Sequence, residues 1–215
     1  MGVAGVDDWP KAPKYVVGLG NPGRRYQRTR HNVGFRVLAA LRKRWDFGRG
    51  RSRFHGRLWT GRIGAAPVTL LAPQTYMNES GRAVAEMVRY YHPAPSAVLV
   101  VLDDMALPPG KLRARRRGSA GGHKGLADIA RALGTDELPR LRVGVGSPPE
   151  PMDAVAFVLS RFSEQEEATV SQAVERAADA VAAWTRDGIE NVMNAYNQGD
   201  SSQDEPQSTV DGNNG

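Results

Sequence analysis

Apolar residues along this chain come in two rhythms, short unbroken runs and stripes at helical spacing, and the two alternate. Tyr15 to Gly20 predicts a first strand. A glycine-broken loop follows, and Val33, Val37, Leu41 and Trp45 then recur every four residues, predicting a helix from Asn32 onward. Arg49 to Arg62 is basic and strand-like through Phe54, Leu58 and Ile63, and Pro67 to Ala72 is a short apolar strand stopped by Pro73. Val84, Met87, Val88 and Tyr91 mark a helix that starts near Asn78 and ends at His92-Pro93, because the residue before proline resists the α region.

Ala97 to Leu102 is continuously apolar, the mark of a central strand buried on both faces, and it ends in Asp103-Asp104. Lys111 to Arg117 predicts a short basic strand and Gly118 to Gly122 a flexible loop. A helix from Lys124 to Leu133 is closed by Gly134, and Leu141 to Gly146 is another strand. Ser163 with Glu166 is a capping box for a long helix reaching about Trp184, and a shorter helix runs from Ile189 to about Tyr196. Strands alternating with helices predict an α/β domain with a sheet covered on both sides. It spans residues 14–197, between a flexible leader (1–13) and a disordered acidic tail (198–215).

Composition narrows the partners. The chain of 215 residues has no cysteine, which excludes a thiol nucleophile and cysteine-ligated zinc and fits a reducing, cytoplasmic setting. No apolar run approaches the ~18 residues of a membrane span. The net charge is +6, and without the four acids of the tail (Asp200, Asp204, Glu205 and Asp211) the body carries +10, much of it in arginine runs such as Arg113, Arg115, Arg116 and Arg117. A basic body fits a polyanionic partner; a generally arginine-rich composition explains the charge equally well.

Gly18-Leu-Gly20-Asn-Pro-Gly23 matches the G-x-G-x-x-G dinucleotide fingerprint in letters only. About nine residues, four of them arginine, separate Gly23 from the next helix, and no acid follows where a ribose would need one. There is no Walker A motif and no G-x-S-x-G elbow either. Of the histidines, His92 sits at a helix end and His55 in a basic strand, where solvation is the default reading. His31 and His123 follow flexible loops, and a lone histidine in such a place is more often structural.

His31 gains weight from Asp103, since both fall at strand ends where open α/β sheets collect ligands. A carboxylate there holds an imidazole in one tautomer and lets it take a proton from water. Asp103-Asp104 as a metal site lacks a supporting cluster of ligands at metal spacing. Asn21, Asn32 and Asn78 are helix-cap residues by default; in a crevice their amides can donate to an oxyanion or orient a water.

In order along the chain, GLGNPGRRYQRTRHNVGF, PQTYMNESGRAV, the DD…LPPG segment, GSAGGHKGL and LRVGVG resemble the motifs of bacterial-type peptidyl-tRNA hydrolase, over about Lys14 to Trp184. The resemblance implies a monomeric three-layer α/β/α sandwich around a mixed, mostly parallel twisted sheet. It implies hydrolysis of the ester between a peptide and the 3′ ribose of tRNA, without metal, cofactor, membrane or obligate protein partner. His31 then corresponds to the catalytic base and Asp103 to its acid partner. Asn21 and Asn78 correspond to the asparagines that hold the substrate carbonyl and the water, Met77 to an apolar wall and Tyr26 to an aromatic lining. Lys111 to Arg117, with Arg113, Arg115, Arg116 and Arg117, falls where the family has its tRNA-facing surface.

Two positions depart from the pattern. Lys124 stands where the family's GGHNGL has asparagine, and Ala106 stands at or near the place of an acid before LPPG. The first keeps hydrogen-bond donors but loses an acceptor, so altered affinity is expected rather than lost chemistry. The rival reading is a non-catalytic RNA-binding homologue on the same fold, of the splicing-factor kind.

Overall fold

A computed structural model describes residues 12–197. The expected leader up to residue 11 and the expected tail lie outside the described residues. Seven strands, β1 (Lys14–Gly18), β2 (Arg51–Arg53), β3 (Gly56–Ile63), β4 (Ala66–Pro73), β5 (Val98–Asp104), β6 (Leu112–Arg115) and β7 (Arg140–Gly144), form one sheet in the order β2-β3-β4-β1-β5-β7-β6. The four central strands are parallel, and antiparallel pairings close both flanks. All seven residues of β5 are buried, as a strand covered on both faces requires.

Six helices complete the layers: α1 (Val33–Arg44), α2 (Ser80–Tyr91), α3 (Lys124–Leu133), α4 (Ala154–Leu159), α5 (Glu164–Asp187) and α6 (Ile189–Tyr196). Val37, Leu41, Val174, Val181 and Trp184 of α1 and α5 pack with Val16, Leu99 and Val143 on one face of the sheet. Val84 and Met87 of α2 and Leu126 and Ile129 of α3 pack with Val17, Val100 and Leu102 on the other. Successive strand residues point to opposite faces, so a single strand feeds both layers.

The elements differ from the sequence reading mainly at their ends. A 3-10 turn, Arg30–Asn32, precedes α1, and another, Met77–Glu79, precedes α2. Phe54 is not in a strand: it and His55 form the two-residue β2–β3 turn, both at positive φ (53° and 46°). Helix α4 has no counterpart in the sequence reading, because its six residues, AVAFVL, are too few to show a period and bury only Phe157 and Val158. The capping box of α5 is present with both of its hydrogen bonds.

Candidate active site

The crevice lies at the carboxyl ends of β1 and β5. Strand β1 delivers the loop carrying Asn21, Tyr26 and His31, and β5 ends on Asp103 and Asp104. Gly34, at the start of α1, makes this close approach possible: a Cβ there would stand 2.5 Å from both the Leu19 nitrogen and the Val101 oxygen. Gly18 and Gly20 likewise face their own helix, with Gly34 and Phe35 in the way of any Cβ. Gly18 and Gly20 therefore bring a helix to a strand, not a backbone to a nucleotide, and Gly23, at φ 99°, has open space where a Cβ would be.

Asp103, 3% exposed, receives two histidines. His31 Nδ1 lies 2.8 and 2.9 Å from its two carboxylate oxygens, and His123 Nε2 lies 3.0 Å from Oδ1. His123 Nδ1 accepts the Leu126 N–H at 3.2 Å, capping α3, so its proton must sit on Nε2 and be donated to Asp103. Burial by itself raises the Asp103 carboxyl, but His123 and His31 together hold it well below the ordinary carboxylate range. An ionised Asp103 in turn keeps the His31 proton on Nδ1 and leaves Nε2 as the acceptor.

The three groups converge within 4.8 Å, a cluster capable of holding a metal ion. This corrects the expectation that no such cluster supports Asp103, since its members are 72 and 20 residues apart in sequence. His31 Nδ1 and both His123 nitrogens are already engaged, by the Asp103 carboxylate and the Leu126 N–H, and a metal held through them would have to displace those bonds.

Arg30 and Asn32 hold the histidine loop in place. Arg30, 6% exposed, forms a two-pronged pair with Glu166 at 2.9 and 2.8 Å and donates to the Val145 carbonyl at 3.0 Å. Its guanidinium also covers Phe157 and Phe162. That pair, followed by burial and the Ser163 contacts, leaves Glu166 at about 2 against an ordinary 4.5, the hydrogen bonds from Arg30 and Ser163 outweighing burial. Asn32 exchanges hydrogen bonds with the Asn21 backbone in both directions, at 2.8 and 2.9 Å, so its amide is structural. Asn21 Oδ1 accepts the Met77 N–H at 2.8 Å, which leaves its Nδ2 donor for a ligand.

These groups open onto a cavity of about 530 Å³ lined by Asn21, Tyr26, His31, Met77, Asn78, Asp103, Ala106, His123 and Lys124, with the exposed apolar residues Val155 and Leu159 of α4 on its rim. Asp104 and Arg142 line it as an ion pair at 3.3 Å. Arg113, Arg115, Arg116 and Arg117 are not brought to the cavity. Strand β6 runs antiparallel to β7 with Arg115 opposite Arg140, at the far end of the sheet, where Arg116 and Arg117 approach Glu190 and Glu137. Sequence reasoning missed His123, Arg30 and α4. Only the GGHKGL string, with histidine in front of a helix, hinted at the first.

Fold and crevice together define a three-layer α/β protein with a histidine–carboxylate site at the carboxyl edge of its sheet. The peptidyl-tRNA hydrolase family model matches residues 15–205, and the chain belongs to that family. It is 48% identical to a peptidyl-tRNA hydrolase of Chloroflexus aggregans over 85% of this chain and 97% of the relative. It is 44% identical to one of Rhodopirellula baltica over 86% and 97%. The crystal structure of peptidyl-tRNA hydrolase from Acinetobacter baumannii superposes with a TM-score of 0.81 at 34% identity, over 86% of this chain and 94% of that one.

Proposed function

We propose that this protein hydrolyses the ester joining a peptide to the 3′ ribose of tRNA. The observation that carries the reading is the His31–Asp103 contact inside a cavity shared with Asn21 and Asn78, in a chain of this family. His31, with Nδ1–H donated to Asp103, takes a proton from water through Nε2 as the water oxygen attacks the ester carbonyl carbon. The Nδ2 group of Asn21 and the amide of Asn78 supply donors to the carbonyl oxygen as it becomes an oxyanion. The carbon–oxygen bond to the ribose then breaks, and the imidazolium returns the proton to the departing 3′ oxygen. His123 donates to the same carboxylate and is a positioning residue, since it acts on His31 only through Asp103.

The deciding experiment offers N-acetyl-aminoacyl-tRNA and unblocked aminoacyl-tRNA and measures ester release. Selective cleavage of the blocked substrate is the expected result; RNA binding without cleavage would favour the non-catalytic homologue. His31→Ala should lower kcat by roughly 10²–10⁴-fold, the usual contribution of a general base, with tRNA affinity nearly unchanged. In Lys124→Asn, KM should move and kcat should stay close to wild type, because Lys124 lines the cavity rim as an exposed cation outside the Asp103 cluster.

A further inference from the structure

A second groove adjoins the active cavity and shares Tyr76 with it as a wall. Arg53, His55 and Arg82 line this groove, and it lies at the pocket end of the sheet, because Gly56 at the start of β3 pairs with Pro73 at the end of β4. Arg115 of β6 lies toward the opposite end, and β6 is the other edge of the sheet from β2 and β3.

Beside the groove is a cluster of arginine and aromatic side chains. The Arg53 guanidinium lies 3.9 Å over the Tyr90 ring and 4.6 Å over Phe54, with the two rings 5.5 Å apart. Tyr91 supports both rings from below at 4.8 and 5.8 Å and itself contacts Tyr15 at 5.2 Å. Phe54 and Tyr91 pack against the core, whereas Tyr90 is 54% exposed.

The backbone here is unusual. A two-residue hairpin with both residues at positive φ favours Asn-Gly, and this chain places Phe54 and His55 there. Bulky residues held in that region mark a segment whose shape the surroundings enforce. The enforced shape carries Phe54 beneath Arg53. Charge agrees: Arg53 and Arg82 line the groove with Glu79, Arg51 acts on Tyr90, and Glu86 is already paired with His55 at 2.9 Å.

We propose that Arg53, Tyr90 and Tyr76 form a stacking platform for unpaired nucleotides of RNA, an RNA contact distinct from the β6 arginines. Arginine planes and tyrosine faces over a cationic groove are what single-stranded nucleic acid uses, stacking its bases while its phosphates meet the arginines. The inference rests on the reading of the protein as acting on tRNA, whose unpaired end would extend from the shared wall at Tyr76.

The test measures binding of a fluorescent single-stranded 12-nucleotide oligoadenylate by anisotropy, alongside hydrolysis of N-acetyl-aminoacyl-tRNA. Tyr90→Leu should weaken oligonucleotide binding about five- to 150-fold, the size of a lost base–aromatic stack, while Tyr90→Phe, which keeps the ring and loses only the hydroxyl's hydrogen bond with Arg53, binds more tightly than Tyr90→Leu. Arg53→Lys should also weaken it, although the charge is kept. Wild-type binding in both Tyr90→Leu and Arg53→Lys overturns the platform. With normal ester cleavage, that result leaves the hydrolase reading standing. Weakened binding in the variants, with no cleavage by wild type, leaves the platform standing and removes the hydrolase reading.

Discussion

His123 and Asp103 are where single side chains have the largest consequences. The Leu126 N–H fixes the His123 proton on Nε2 and the ionised Asp103 fixes the His31 proton on Nδ1, so the cluster has one consistent pattern of donors. His123→Ala removes a hydrogen bond to a charged group and the cap of α3 together. Single losses of these kinds cost about 2 and about 1 kcal/mol. The variant should therefore be less stable in urea by about 3 kcal/mol and show a lowered kcat with KM little changed. A KM effect alone would reassign His123 to substrate contact. Asn32 and Arg30 carry the converse lesson. Both sit in the stretch that drew attention as a ligand loop, yet their polar atoms are spent on Asn21, Val145 and Glu166. Residue type did not distinguish them from His31; the partners did.

At the scale of elements, the start of α5 is coupled to the site. Glu166 closes the capping box and also holds Arg30, the neighbour of His31. Its folded value near 2 lies below the ordinary 4.5, so the ionised form is the stabilising one. That contribution is fully present above about pH 4.5 and is lost as pH falls toward 2. Glu166→Gln should unfold at lower urea at pH 7, by about 2 kcal/mol, because buried Arg30 loses its partner. The difference from wild type should shrink at pH 3, which parallel urea titrations would measure. Gly34 sets the α1–sheet distance: in Gly34→Ala a new methyl would meet the backbone of Leu19, just past β1, and of Val101 in β5, and overpacking of this kind costs about 1–3 kcal/mol. A lowered melting temperature, with residual activity falling in step, is the expected result.

Over the whole molecule, part of the basic charge lies away from the catalytic cavity. The cavity is at one end of the sheet; Arg113 of β6 pairs with the cavity-lining Arg142, while Arg115 stands toward the other end, about 10 Å from the level of Asp103 at 3.3 Å per residue. Replacing Arg115, Arg116 and Arg117 together by alanine should weaken tRNA binding and flatten its salt dependence while leaving kcat unchanged, read from the affinity at several salt concentrations. The sheet, its covering layers, the capping box of α5 and the bounds of α3 and α6 were legible in the chain itself. Strand and helix periods and caps are local signals, carried by residues a few positions apart. His31, Asp103, Asn21, Met77 and Asn78, which the motifs single out, line one cavity. What tertiary structure decided are the long-range partners: His123 on Asp103, Arg30 on Glu166, Asn21 Oδ1 on the Met77 N–H, and Arg53 over Tyr90. These pairs join residues 20 to 136 positions apart. No local period encodes them, because they arise only when the sheet order brings the carboxyl ends of separate strands to one crevice.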